Sequence, residues 1–137
     1  MRPLTKISLF GIRLATCVLA IYWIALFTGT HVPQLPQIAG RISDKIMHFS
    51  AFFGLAILLC WVIQTRTTAI RKFALVLAIA LSYASIDEIT QGFVRGRQPD
   101  LADFAADSLG IVSAIAFYSL MRFLLPRLSS PVAVSEV

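Results

Sequence analysis

The sequence predicts an all-α integral membrane bundle of four transmembrane helices with both termini in the cytoplasm, and three observations carry that expectation. Hydrophobic residues make up 58% of the 137-residue chain and charged residues only 14%, with a mean hydropathy of +0.80, whereas an ordinary soluble domain carries about 25% charged residues. The apolar residues gather into four runs, and a span needs about 20 of them to cross roughly 30 Å of hydrocarbon. The basic residues then divide unevenly between the two ends of those runs. This composition excludes a disordered chain, a typical cytosolic domain and a nucleic-acid-binding protein, so the net charge of +5 is read as a topology signal. The length suits a single membrane domain over residues 1–137.

The four spans fall at about 7–28, 46–64, 70–91 and 101–125. The first has an uncharged stretch from Leu14 to Phe27. The second is uncharged from Ile46 to Ile63, apart from the titratable His48, and ends at the polar, basic residues Gln64, Thr65 and Arg66. The third runs through Leu75, Leu77, Ile79 and Leu81 until Asp87 and Glu88 interrupt it. The fourth has an uncharged core from Ser108 to Met121 and is stopped by Pro126, which continues a helix poorly. The uncharged cores are short for independent spans, so their polar ends must be shielded by neighbouring helices, which implies a bundle. Only the first loop, Gly29 to Ser43 with Pro33 and Pro36, is long enough to fold over the mouth of that bundle. Cys17 and Cys60 sit within apolar runs, where cysteine is ordinarily a small packed hydrophobe. A cleaved signal sequence at the first run is the weaker reading, because no small-residue cleavage site follows Phe27.

Orientation follows from the basic residues. Arg2, Lys6, Arg13, Arg66, Arg71, Lys72, Arg122 and Arg127 fall on one side; Arg41, Lys45, Arg95 and Arg97 fall on the other. Eight against four places both termini in the cytoplasm. Six acids, Asp44, Asp87, Glu88, Asp100, Asp103 and Asp107, belong to the opposite end, and only Glu136 lies in the tail.

Three segments therefore deliver polar chemistry to one end of the bundle. The second span opens with Asp44, Lys45 and His48, the third closes with Asp87, Glu88 and Gln91, and the fourth opens with Asp103 and Asp107 after a loop holding Arg95, Gly96, Arg97 and Asp100. Spacings of three and four residues put each set on one helix face. Ala80 and Ala84, and Ala102, Ala106, Gly110 and Ala114, offer small residues at the same spacing for close helix approach. An ionisable side chain within a span costs on the order of 2.5 to 3.5 kcal/mol on insertion scales, so this concentration points to a site for a polar ligand. An interhelical network that only fixes register is the competing structural reading.

The residue types of the cluster bear on several chemistries. Nucleophilic hydrolysis fits poorly, since Ser50 lies two residues from His48 on one helix and Cys60 more than three turns away. Asp44, His48, Glu88, Asp103 and Asp107 are oxygen and imidazole donors suited to Mg²⁺, Mn²⁺ or Zn²⁺, although no compact ligand motif is present, and the metal and any cofactor stay unassigned. Arg95, Gly96 and Arg97 form a turn in which two guanidiniums can hold a phosphate or carboxylate. His31 is expected to be a solvated loop residue, and Trp23 and Trp61 to have interfacial or packing roles. Proton transport is disfavoured because the polar residues stop at one end.

The order and spacing of Asp44, Lys45 and His48, then Glu88 and Gln91, then Gly96 and Arg97, then Asp103 to Gly110 resemble the VanZ-like membrane proteins. Their pattern is roughly DKxxH, ExxQ, GR and D-x-x-x-[N/D]-x-x-G. The resemblance covers Asp44 to Gly110, and Asp107 stands where many relatives carry Asn. It implies a small multi-pass protein of the bacterial cytoplasmic membrane and, through the member that gives the family its name, a contribution to teicoplanin-type glycopeptide resistance. Combined with the residues, it leads to the expectation of an outward-facing pocket that binds or modifies an envelope molecule, either a lipid-linked precursor or an anionic lipid head group. In that expectation His48 and Glu88 transfer protons, Asp44 and Lys45 orient His48, and Gln91, Arg95, Arg97, Asp103 and Asp107 hold the ligand. The alternative is a non-catalytic accessory protein whose polar cluster only holds the bundle together.

Overall fold

The structure, a computed structural model, describes residues 8–9, 12–33, 41–64 and 68–124. Four helices dominate it: α1 (Leu14–Thr30), α2 (Arg41–Val62), α3 (Ala69–Gln91) and α4 (Leu101–Leu124). Segments of 19, 23 and 24 residues, Asp44–Val62, Ala69–Gln91 and Leu101–Leu124, are long and apolar enough to cross a membrane. The all-helical expectation holds for the bundle, while α1 has 17 residues and at 1.5 Å per residue extends only about 25 Å.

The first helix starts later than the sequence reading placed it. Before Leu14 the chain is extended, with Arg13 at ψ 131°, and a two-residue antiparallel pair joins β1 (Ser8–Leu9) to β2 (Ile12–Arg13), with Ser8 opposite Arg13 and Leu9 opposite Ile12. Arg13 is exposed, and beginning the helix after it keeps a guanidinium out of the apolar span. The second helix starts earlier than expected, at Arg41. The expectations for Arg2, Lys6, Pro36, Arg66, Pro126, Arg127 and Glu136 fall outside the described residues.

α2 is the hub, packing on α4, α1 and α3, while α3 also packs on α4. Phe52, Leu55, Ala56, Val76, Ala80, Ala84, Ile111 and Ala114 form the fully buried centre. Ile21, Ile24, Ile70, Ile86, Leu109 and Phe123 point outward and are exposed. Helices that are apolar on both their packed and their open faces belong in lipid, where an outward Ile or Phe carries no hydration penalty. Of the small-residue stripes, Ala80, Ala84, Gly110 and Ala114 are buried between helices, whereas Ala102 is exposed.

Gly110 sets the approach of α4 to α2. A Cβ there would collide with the Phe49 carbonyl oxygen and lie 3.1 Å from the Phe53 nitrogen. Gly110→Ala must push two backbones apart and is expected to cost about 1–3 kcal/mol, read as a lower unfolding midpoint in detergent. Gly29→Ala, whose Cβ meets nothing within 4 Å, is expected to cause no loss in the same measurement.

At the end of the bundle away from the acids, Lys72 is buried; its ammonium donates to the Tyr118 hydroxyl at 3.2 Å and sits 4.7 Å from the centre of that ring. The sequence reading placed Lys72 with the topology-setting bases, and the structure keeps it at that end but folds it inward over an aromatic face, where a cation is attracted by the ring quadrupole.

Candidate polar site at one end of the bundle

The antiparallel order of the helices brings the C-terminal ends of α1 and α3 together with the N-terminal ends of α2 and α4, and the cross-helix bonds below tie all four. The polar end has two connected halves.

The first half is centred on Asp87, which is fully buried. Its Oδ1 accepts the Thr30 hydroxyl at 2.9 Å and the Tyr83 hydroxyl at 3.4 Å, and its Oδ2 accepts the Gln91 amide at 2.7 Å. The Asp87–Gln91 bond is the four-residue face pairing read from the sequence. Gln91 in turn accepts from Arg97 Nη1 at 2.9 Å, and Arg97 Nε donates to the Val32 carbonyl at 3.1 Å. Gly96 makes this possible: at φ 83° it takes a left-handed conformation open to glycine, and the turn folds Arg97 back over the end of α3. The Arg97 guanidinium thus staples the α3–α4 loop to the end of α1.

His31 belongs to this half, contrary to the expectation of a solvated loop residue. It closes α1, its Nδ1 lying 2.9 Å from the Phe27 carbonyl and its Nε2 2.9 Å from the Thr90 hydroxyl, with Asp87 Oδ1 at 3.8 Å. A carbonyl can only accept, so Nδ1 carries the proton toward Phe27. Thr30, His31, Tyr83 and Thr90 were missed as site residues by the sequence reading. The available signal was topological, since in an up-and-down bundle the end of α1 has to meet the polar ends of α2, α3 and α4.

The second half joins α2, α3 and α4. His48 Nδ1 is 3.0 Å from Asp107 Oδ1, and both residues are buried. A carboxylate accepts, so Nδ1 bears a proton toward Asp107, and Nε2 faces Asp103 Oδ2, 4.0 Å away. Lys45 donates to Asp103 Oδ1 at 2.6 Å and to Asp100 Oδ2 at 3.1 Å. The partner that orients His48 is therefore Asp107, while Lys45 neutralises the start of α4. Glu88 accepts the backbone N–H of Asp100 through Oε1, and Asp100 Oδ1 caps α4 by accepting from Ala102 N–H at 2.9 Å. Glu88 lies within electrostatic range of Asp103, His48 and Asp107, and Asp107 within range of Asp87, which links the halves.

Two buried oxygens in this half, Glu88 Oε2 and Asp107 Oδ2, have no hydrogen-bond partner among the described residues. One donor atom each from Asp44, His48 and Asp103 lie within 4.8 Å of one another, a spacing that could hold a metal ion. Arg95 is exposed and makes no ion pair or hydrogen bond among the described residues; of the two guanidiniums expected to grip an anion, Arg97 is engaged and Arg95 stays in solvent.

Along the side of the bundle, an open apolar groove of about 380 Å³ is lined by Trp23, Ala78, Ile79, Ser82, Tyr83 and Ile86. Trp23 and Tyr83 meet edge to face at 4.9 Å across it. Tyr83 belongs to both regions, its ring lining the groove and its hydroxyl reaching Asp87.

Fold and site together define a class: a small helical-bundle membrane protein with a cluster of buried acidic residues and a histidine at one end. Within that class the chain belongs to the VanZ/LLP1 family, whose model matches residues 9–122. It is also 32% identical over 99 residues to an uncharacterized protein of the fission yeast Schizosaccharomyces pombe, a match spanning 72% of this chain and 60% of that protein. The chain thus covers less than two thirds of that relative's length. No solved structure matches it.

Proposed function

We propose that the polar end and the adjoining groove bind an amphiphile of the cell envelope, a lipid-linked precursor or an anionic lipid, with the head group at the polar end and the acyl chain in the groove. The observation that carries this reading is that Tyr83 lines an open apolar groove with its ring and donates its hydroxyl to Asp87, which lies within electrostatic range of Asp107 in the His48 half. In this reading the head group meets the exposed Arg95 guanidinium and Lys45, and His48 and Glu88 serve any proton transfer to it. In this reading the polar end faces outward from a bacterial cytoplasmic membrane, following the eight-to-four division of basic residues, and a role in teicoplanin-type resistance is one outcome of holding a cell-wall precursor there. The hydrogen-bond network around Asp87 favours a structural role for that half alone, because its described donors and acceptors are matched within the bundle.

A deletion strain tests the reading. Wild-type protein is expected to restore its envelope lipid and cell-wall precursor profile, and Glu88→Gln and His48→Ala are expected to abolish rescue at normal membrane abundance. Full rescue by both overturns the reading, and loss of membrane abundance in both assigns the cluster to holding the bundle together. Orientation is read by thiol labelling in a background lacking Cys17 and Cys60: a cysteine at Gln98 is expected to label from outside intact cells and one at Thr68 only after lysis.

A further inference from the structure

The His48 half of the polar end has the geometry of a metal site. His48 turns its protonated Nδ1 to Asp107 at 3.0 Å, the outer carboxylate–imidazole pairing that fixes a ligating histidine and raises its basicity. Its Nε2 faces Asp103 Oδ2 at 4.0 Å, and a metal ion binding there displaces any proton that it carries. This gap is too long for a hydrogen bond. It suits two ligands on one ion, since bonds of about 2.1 Å each place donor atoms roughly 3–4 Å apart. Asp44, one turn before His48 on α2, brings a carboxylate oxygen to within 4.8 Å of both. Lys45 engages Asp103 through Oδ1 and leaves Oδ2 to the histidine side.

A second observation is independent of that triangle. Asp107, fully buried, and Glu88, 8% exposed, each keep one buried carboxylate oxygen with no hydrogen-bond partner among the described residues. Asp107 holds its other oxygen on His48, and Glu88 lies within electrostatic range of His48, Asp103 and Asp107. Buried carboxylate oxygens without donors are costly in a membrane-embedded bundle, and a divalent cation among them removes that cost. One imidazole with several carboxylates lies between the all-oxygen sets of Mg²⁺ and Ca²⁺ and the nitrogen- and sulfur-rich sets of structural zinc.

We propose that this end of the bundle binds one Mn²⁺ or Zn²⁺ ion through Asp44, His48 Nε2 and Asp103 Oδ2, with Asp107 positioning His48 and Glu88 completing the shell. The proposal goes beyond the amphiphile reading and stands without it: an ion can be held with no lipid bound, and a head group can be held by Lys45 and Arg95 with no ion.

The test uses the full chain purified in detergent, stripped with chelator and titrated with Mn²⁺ and with Zn²⁺, with bound metal counted after desalting. One ion per chain is expected, together with a rise in the thermal unfolding midpoint on loading. His48→Ala and Asp44→Asn are each expected to weaken binding at least tenfold, and Asp107→Asn by about 10–100-fold, as for other partners behind a ligand. Asp44→Asn is nearly isosteric and Asp44 is only partly buried, so it carries the test if His48→Ala fails to fold. Sub-stoichiometric binding of both metals by wild-type protein, or binding by Asp44→Asn as tight as wild type, overturns the proposal. Rescue of the deletion strain is scored separately, so a metal-free protein that still supports the envelope phenotype removes the ion and leaves the amphiphile reading intact.

Discussion

Asp87→Ala is expected to destabilise the bundle by roughly 3 kcal/mol or more, since it strands donors on Tyr83 and Gln91 and removes the cross-helix acceptor of Thr30, whose hydroxyl keeps only the Leu26 and Phe27 carbonyls of its own helix, and each buried group left unmatched costs about 1–3 kcal/mol. The loss should be asymmetric in space. Thr30 holds the end of α1 to α3 through this carboxylate, and Arg97 reaches α1 by way of Val32, so α1 is expected to detach first. Denaturant titration in mixed micelles reads the total effect, and protease cleavage near Pro33 reads the detachment. Thr30→Val removes one of the three bonds and is expected to cost about 1 kcal/mol. A change of less than about 0.5 kcal/mol for Asp87→Ala, the range of an ordinary surface substitution, would show that this hub does not hold the helices together.

The second large effect concerns His48 and Asp107. Asp107→Leu leaves a buried imidazole N–H without its acceptor and is expected to cost about 3 kcal/mol or more. His48→Leu leaves the carboxylate with both oxygens unmatched, at similar cost. The double variant replaces both partners with apolar groups, which in a buried pair is often nearly neutral, so much of the stability should return. With each single loss about 3 kcal/mol and the double loss about 1 kcal/mol or less, the mutant cycle is expected to show a coupling of roughly 5 kcal/mol. Complementation should behave differently: all three variants are expected to fail, because restored packing returns neither donor to the site. A double variant that recovers stability and function together would reduce this pair to a structural contact.

Much of this arrangement was legible in the sequence because helical spacing is a rigid rule. Asp87 and Gln91, four apart, do bond. Asp44 and His48, also four apart, do bring donor atoms to within 4.8 Å of each other and of Asp103. Gly96 does sit in the left-handed region that its place between two arginines implied. What spacing could not reveal was which partner each side chain selects across a helix interface. Lys45 reaches two residues of α4 rather than His48, and His48 takes Asp107 rather than Asp44 or Glu88. His31 lies beside Pro33 in a stretch that reads as a loop, and only the docking of α1 against α3 brings its ring to Thr90.

The sequence by itself determined that this is a membrane bundle with its acidic residues at one end, because apolar run length and charge scarcity act locally and survive any packing. Membership of the VanZ/LLP1 family followed from the order of a few polar residues along the chain. Only the tertiary structure decided that the polar end is two differently built halves, one closed around Asp87 and one with two oxygens that have no hydrogen-bond partner among the described residues. The reason is physical: hydrogen bonds and ligand geometry depend on distances of a few tenths of an ångström between helices. Those distances are set by contacts such as Gly110 against the Phe49 backbone, between residues far apart in the chain.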